Sequence, residues 1–347
     1  MTRSDTCIVL VEPEDFEALG AGWRALEADA DASFFQSWTW VGCLAAERFP
    51  RPLLLQAWRG ERLAGLALLN RRGWLRERLL LGESGDPALD AVFVEYNGSL
   101  MARGEDELRA DCLGGLLQYT LPRCRWRLGR RLVLSGVDEA HLIAARAAGT
   151  VRLRRSGPVP FVDLTVLDET EGGFLDSLSA NARYQIRRSA RRYEEMAGPL
   201  AVRRAASVAE GLDFLAALAC LHQSSWTARG KPGAFAGEAF VRFHRALIAR
   251  GLPRGEVDLL RIDAGARVVG YLYNFVYRGR VLSYQSGFDY AAAGPHQKPG
   301  LTCHAAAIKR YRDEGASAYD FLAGGDRYKS SLSNARTVLH WLEVAPR

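Results

Sequence analysis

The stretch EVDLLRIDAGARVVGYLYNFVYRGRVLSYQSGFD, Glu256–Asp289, decides the fold. Apolar residues run in three short blocks, broken at Ala264-Gly265 and Arg278-Gly279, the punctuation of tight hairpins. The reading is three antiparallel strands in series. Downstream, Pro299-Gly300 opens a helix running to about Glu314, SAYDFLA (317–323) reads as a buried strand, and TVLHWLEVA (337–345) reads as another that closes the chain. Upstream, PLAVRRA (199–205) is a short strand. Helical spacing of apolar residues then marks one helix from about Val208 to Trp226 and a second from about Glu238 to Arg250, stopped by Gly251 and Pro253. The order β-α-α-β-β-β-α-β-(α)-β implies an α/β fold with a mixed sheet and helices on both faces.

The first half repeats this order more loosely. CIVLVEP (7–13) is a strand, 15–30 and 37–49 are helices, and LLLQAWRGERLAGLALLNRR (53–72) is a hairpin turning at Arg59-Gly60. LRERLLLG (75–82), AVFVEYNGSL (91–100) and RRLVLSG (130–136) read as further strands, with a helix near 105–120. Leu54, Leu55, Gly60, Arg62 and Gly65 match Leu259, Leu260, Gly265, Arg267 and Gly270 at a constant offset (265 − 60 = 205). With the repeated element order, this argues for an internal duplication. RRSGPVPFVDL (154–164), where Pro158 and Pro160 exclude helix, sets the expected boundary: lobes at 1–157 and 158–347.

Composition narrows the function. A 347-residue chain with 48% hydrophobic and 25% charged residues can build two cores and gives no case for long disorder. No stretch reads as a signal peptide or membrane span, so a cytoplasmic protein is expected. Cys7, Cys43, Cys112, Cys124, Cys220 and Cys303 form no CxxC pair, and the six histidines show no ligand spacing. A metal is therefore not expected. The net charge of +6 would attract an anionic partner without choosing among them.

Chemistry concentrates in 284–333. A strand leads through a Gly/Pro-rich loop into the helix at Pro299-Gly300, whose unpaired N–H groups and positive dipole end suit a pyrophosphate; Gln297 and Lys298 stand where side chains add donors. An ordinary loop with a first-turn proline is the alternative. Asp320, Asp326 and Asp289 are candidate bases; Asp320 lies in an apolar strand, where burial would raise its pKa or where it serves as a structural acceptor. Lys329 could hold a phosphate or an oxyanion. His222 and Trp226 share a helix face, Tyr284 and Gln285 either line an acceptor site or alternate across the sheet, and Arg183, Arg187 and Arg191 form a stripe with Arg188 and Arg192 beside them. That stripe is either a solvated face or a seat for an anionic partner.

FFQSWTW (34–40), LSANARYQIRRSARRYEE (178–195), HQSSWTARGKPGAF (222–235), YQSGFD (284–289) and YDFLAGGDRYKSSLS (319–333) carry a family resemblance. The chain resembles GNAT-type acetyltransferases related to the CelD cellulose-biosynthesis proteins, and more distantly the FemAB aminoacyl transferases, which also use two GNAT lobes. The resemblance implies two tandem GNAT-like lobes and direct transfer of an acyl group from acyl-CoA (acetyl-CoA) to a small-molecule or saccharide amine. It implies donor binding at Gln297, Lys298, Pro299, Gly300 and Leu301, an acid at Tyr328, and a substrate pocket near His222, Trp226, Arg183 and Arg187. Gln297 and Gly300 fit the first half of the family's Q/RxxGxG/A signature, whereas Leu301-Thr302 departs from it. An aminoacyl-tRNA donor, or a non-catalytic scaffold of degenerate lobes, stands as the alternative. The first lobe's loop GESGDPALDAVF (82–93) is acidic and is expected to repel a pyrophosphate.

Overall fold

The computed structural model describes residues 6–73, 76–118, 130–167 and 173–347; Cys124 and Leu75, the first residue of one expected strand, fall outside them. The chain divides into two compact units, Met1–Gly157 with Val338–Arg347, and Pro158–Thr337.

The first unit runs β1 (Thr6–Val11), α1 (Phe16–Ala28), α2 (Trp38–Arg48), β2 (Pro52–Arg59), β3 (Arg62–Arg72), β4 (Glu77–Leu81), β5 (Leu100–Met101), α3 (Leu108–Gln118), β6 (Arg130–Val137) and α4 (Glu139–Ala148). Strand β7 (Thr150–Asp163) gives its first half to this unit and its second half, from Pro158, to the other. The segment 91–99, expected to be a strand, is instead irregular. Its Asn97 makes an isolated bridge to Val137.

The second unit runs α5 (Gly173–Asp176), α6 (Ala180–Ala197), β8 (Leu200–Arg204), α7 (Val208–Thr227), α8 (Glu238–Gly251), β9 (Val257–Ala264), β10 (Arg267–Tyr277), β11 (Arg280–Phe288), α9 (Pro299–Asp313), β12 (Ala318–Asp320) and α10 (Arg327–Leu332). Ser179 and Ser207 cap α6 and α7 by accepting from Ala182 N and Glu210 N, and Gly198 at φ 113° ends α6. Strands β8 to β11 are antiparallel neighbours, β11 pairs β12 in parallel, and β12 pairs the second half of β7. A core of Leu260, Ile262, Leu272, Val281, Cys303, Ile308 and Tyr319 fills the space between this sheet and α6 and α9.

The last strand, β13 (Ala335–Ala345), corrects the expected lobe limits. Residues Val338–Arg347 belong to the first unit, where β13 pairs antiparallel with β6 and lies between β6 and β7. His340 fastens it there, with Nδ1 2.9 Å from Ser156 Oγ and Nε2 2.9 Å from Glu139 Oε2. The first unit thus takes a strand from the far end of the sequence, while the second is one continuous segment, because strand pairing depends on edge and pattern rather than sequence position.

The offset of 205 recurs in backbone detail. Adding 205 to the limits of β2 and β3 (52–59 and 62–72) gives those of β9 and β10 (257–264 and 267–277). Both hairpins carry a bulge at the same place, skipping Ala64 between the pairs Trp58↔Leu63 and Ala57↔Gly65, and Val269 between Asp263↔Val268 and Ile262↔Gly270. A bulge is a specific local device, so sharing it favours duplication over chance. Among the described residues, no helix is long and apolar enough to cross a membrane.

Candidate functional site

The second unit opens where its parallel strands part. β11 and β12 pair only at Arg280↔Ala318, Val281↔Tyr319 and Leu282↔Asp320. Beyond Asp320 the chain stays bonded on its other side, Phe321 N to Pro160 O at 3.1 Å and Gly324 N to Pro158 O at 3.3 Å, while β11 continues to Phe288. Leu322 turns the chain away in the left-handed region (φ 59°), a conformation a leucine adopts only when its surroundings impose it. Asp320 supplies part of that constraint. Its carboxylate is fully buried, accepts from Leu322 N at 2.7 Å, and pairs with Arg280 through Nε at 3.1 Å and Nη2 at 2.5 Å. With both oxygens engaged, the geometry favours the structural-acceptor alternative over a base.

The start of α9 faces this opening. Pro299 has no N–H, no side chain caps the helix at Lys298, and the Gly300 and Leu301 amides lie in the first turn, where intrahelical partners are missing. Gly300 permits a close approach: a Cβ there would stand 3.2 Å from Tyr290 Oη and 3.3 Å from Phe288 Cε2. The turn is pinned to α6 by the buried Ser189, whose Oγ accepts from Lys298 N at 2.7 Å and lies 2.7 Å from Thr302 Oγ1.

Gln297 differs from its expected role. It is buried, with Oε1 accepting from Gly294 N at 2.7 Å and Nε2 turned to Met196 Sδ at 3.7 Å, so its side chain closes its own loop instead of offering donors outward. Lys298 is exposed. Beside it His296, at φ 69°, is held below the ordinary histidine range by desolvation and by the charges of Arg188, Arg192 and Lys298. Two arginines of α6 and the loop before α9 therefore share one cationic neighbourhood.

Aromatic rings gather around the same helix start. Tyr328, on α10, stacks on His304 of α9 with ring centroids 5.6 Å apart at 18°, and stands 6.3 Å edge-on from Phe321. Burial and the nearby Asp326 push its phenol well above the ordinary value, so it is protonated at neutral pH. Tyr290 is raised by burial and partly offset by Arg229, whose Cζ lies 5.9 Å from the ring. Lys329, expected to hold a phosphate or oxyanion, instead donates Nζ to Leu322 O at 3.3 Å and Ala323 O at 3.1 Å, bracing the same turn as Asp320. Asp326 precedes α10 with an exposed side chain.

The remaining expected residues separate. His222 is a satisfied core residue: Nδ1 donates to Ser286 O at 3.0 Å, Nε2 accepts from Ala234 N at 3.3 Å, and burial lowers its pKa. Trp226 stacks on it at 5.6 Å, half-buried. Tyr284 is the extra residue of a bulge between β10 and β11, and its ring packs on Phe275 at 4.7 Å and His244 at 5.0 Å, in the core. Gln285 is half-buried. Asp289 caps a turn by accepting from Ala292 N at 3.0 Å. Arg183 and Arg187 both reach Asp176, at 3.2 and 3.6 Å, while Arg188 and Arg192 are the pair beside the loop. Tyr290 and His304 were not singled out from the sequence, although His304 stands one helical turn past Gly300, a spacing that places it over the helix start.

The first unit ends its parallel pair differently. β4 and β6 pair over five positions, Glu77↔Arg130 to Leu81↔Leu134. Asn97 then donates Nδ2 to Leu81 O at 3.0 Å and to Ser135 O at 3.3 Å, and its own N–H to Gly136 O at 2.9 Å. In the following loop Asp90 accepts from Ser84 N at 2.7 Å, Ser84 Oγ at 2.8 Å and Gly85 N at 2.9 Å, and pairs with the buried Arg48.

Residues 180–330 match the family model of the acetyltransferase (GNAT) domain. Among solved structures, FemX is similar over 96% of this chain and 96% of its own, at 10% identity and a TM-score of 0.61. L-PGS from Bacillus licheniformis is similar over 96% and 92%, at 12% identity and 0.55. A conserved protein of unknown function from Bacteroides thetaiotaomicron VPI-5482 is similar over 98% and 100%, at 10% identity and 0.53. At such identities the likeness speaks for the fold alone. No curated protein matches the sequence. The fold is α/β with a mixed sheet, the second unit matching the GNAT domain model and the first repeating its hairpin and bulge.

Proposed function

We propose that this protein is a GNAT-type N-acyltransferase whose second unit moves an acyl group from acyl-CoA to an amine by direct attack. The observation that carries the reading is the opening between β11 and β12, with the uncapped first-turn amides of α9 and a protonated phenol stacked on the same helix. The amides of Gly300 and Leu301, with Lys298, Arg188 and Arg192, hold the donor's phosphates. The amine nitrogen attacks the thioester carbonyl, the C–S bond breaks, and Tyr328 gives its proton to the leaving thiolate. Asp326, exposed two residues before Tyr328, receives the proton released by the amine. The acceptor is a saccharide or other small-molecule amine, as the resemblance to CelD-related proteins implies.

Calorimetry with acetyl-CoA and with CoA tests this reading. Binding of both, weakened by Lys298→Ala, supports it; Gln297→Ala should act only through loop stability. The exposed arginine face of α6 favours one second reading, an aminoacyl-tRNA donor. No binding of either CoA species, with retention of charged tRNA on a filter in a salt-dependent manner, would replace the first reading with the second. Neither response would favour the scaffold.

A further inference from the structure

His304 has no part in the transfer as described, yet it is among the most constrained polar groups in the second unit. Its ring is 1% exposed and enclosed edge-on by Phe288 at 5.6 Å and Phe321 at 5.3 Å, with Tyr328 stacked flat on it. Side chains on a helix lean towards its N-terminus, so this ring lies over the first turn, where Phe288 also stands 3.3 Å from the place a Cβ on Gly300 would take. The ring is locked from below. Nδ1 stands 2.9 Å from Tyr319 Oη, a phenol that burial holds protonated, and this contact fixes the orientation of the ring. Among the described residues Nε2 has no hydrogen-bond partner. Burial, then the charge of Lys329, lowers the ring's pKa to about 3, which keeps it neutral wherever the enzyme works. A buried polar nitrogen without a partner is a standing cost that an apolar side chain would avoid, and so calls for an explanation. Tyr328 supplies one. Its helix is short and its ring partly exposed, so its position rests on the surface it stacks against.

We propose that His304 is a positioning residue: its flat, neutral ring, held in one orientation by Tyr319, is the platform that fixes the Tyr328 phenol at the mouth of the opening. The inference rests on the acyltransfer reading for its kinetic consequence but not for its structural one. His304→Ala removes the platform, His304→Phe keeps a flat ring without the lock, and Tyr319→Phe keeps the imidazole but releases it. Turnover of acetyl-CoA with an amine acceptor should fall on the order of 100-fold in His304→Ala, with donor KM within about threefold. His304→Phe should recover most of that loss, and Tyr319→Phe should fall between. In the substrate-free protein, the ring-current shifts of Tyr328 resonances should collapse in His304→Ala and persist in His304→Phe. Wild-type kcat in His304→Ala, a loss that only follows the folded fraction, or unmoved Tyr328 resonances would each overturn the proposal. Equal inactivity of the Ala and Phe variants, with both folded, would also overturn it, since the polar edge of the imidazole and not its flat face would then be the active element. If the wild type turns over no acyl-CoA, the function proposed above fails, while the resonances still decide the platform.

Discussion

The two units build the same parallel strand pair and finish it in opposite ways. In the first, Asn97 ties the ends of β4 and β6 together, and Asp90 occupies the backbone amides of the loop that follows β4. In the second, pairing stops after three positions and the turn at α9 leaves its amides uncapped. A duplicated frame can therefore keep its hairpins and bulges while one copy satisfies its own polar groups internally. The copy left unsatisfied is the one available to a ligand, because buried or inward-facing polar groups are costly until something binds them.

The largest effect expected on this comparison comes from emptying the first loop. Asp90→Ala leaves Arg48 buried without its carboxylate and should cost about 3–5 kcal/mol in urea unfolding. If Asp90 stands in for a bound anion, sulfate should raise the melting temperature of this variant more than that of the wild type; equal rises would break the analogy. Next, Tyr328→Phe should lower kcat by about 100-fold or more at unchanged melting temperature, since the stack on His304 is retained. Asn97→Ala follows, at about 2 kcal/mol for two buried carbonyls left unmet, with turnover per folded molecule unaltered. A changed turnover would mean that the first unit takes part in the reaction.

Charge reversal sharpens the contrast further. Lys298→Glu should weaken acetyl-CoA binding about tenfold at low salt and less at high salt. Arg154→Glu, beside Glu83 in the first unit, should leave it unchanged. The smallest effect is on pH. Because burial raises the Tyr328 pKa, its acid form persists above the ordinary phenol value of 10.0, so kcat should show no decline from this group below that point. An alkaline limb near neutrality that vanishes in Tyr328→Phe would contradict the assignment.

Much of this frame was legible in local sequence. Gly60 and Gly265 mark the hairpin turns at φ 58° and 55°, and the alternating aliphatics around them fix the offset that the bulges repeat. The element order of the second half follows from helical spacing and its stops. Long-range choices were not legible. Nothing in VLHWLEV says that it pairs with β6 and not with the strands that precede it, because edge selection depends on which partner is vacant. AVFVEYN looks like a strand by propensity, yet Asn97 is used for its side-chain donors. Asp320 and Lys329 carry charges that suggest chemistry, but Arg280 and two carbonyls consume them in holding one turn. Gln297 fits a signature by position and points the other way.

The placement of β13 bears on how the chain is made. Residues Val338–Arg347 complete the first unit, yet they leave the ribosome only after the 180 residues of Pro158–Thr337 (337 − 158 + 1 = 180). At roughly 5–20 residues per second, β6 waits on the order of ten seconds or more with a bare edge. That edge is a template for the wrong strand, from this chain or a neighbouring one. A stop codon before Val338 would then harm the unit already synthesised, and a lesion downstream in the message would appear as aggregation seeded from the earlier strands.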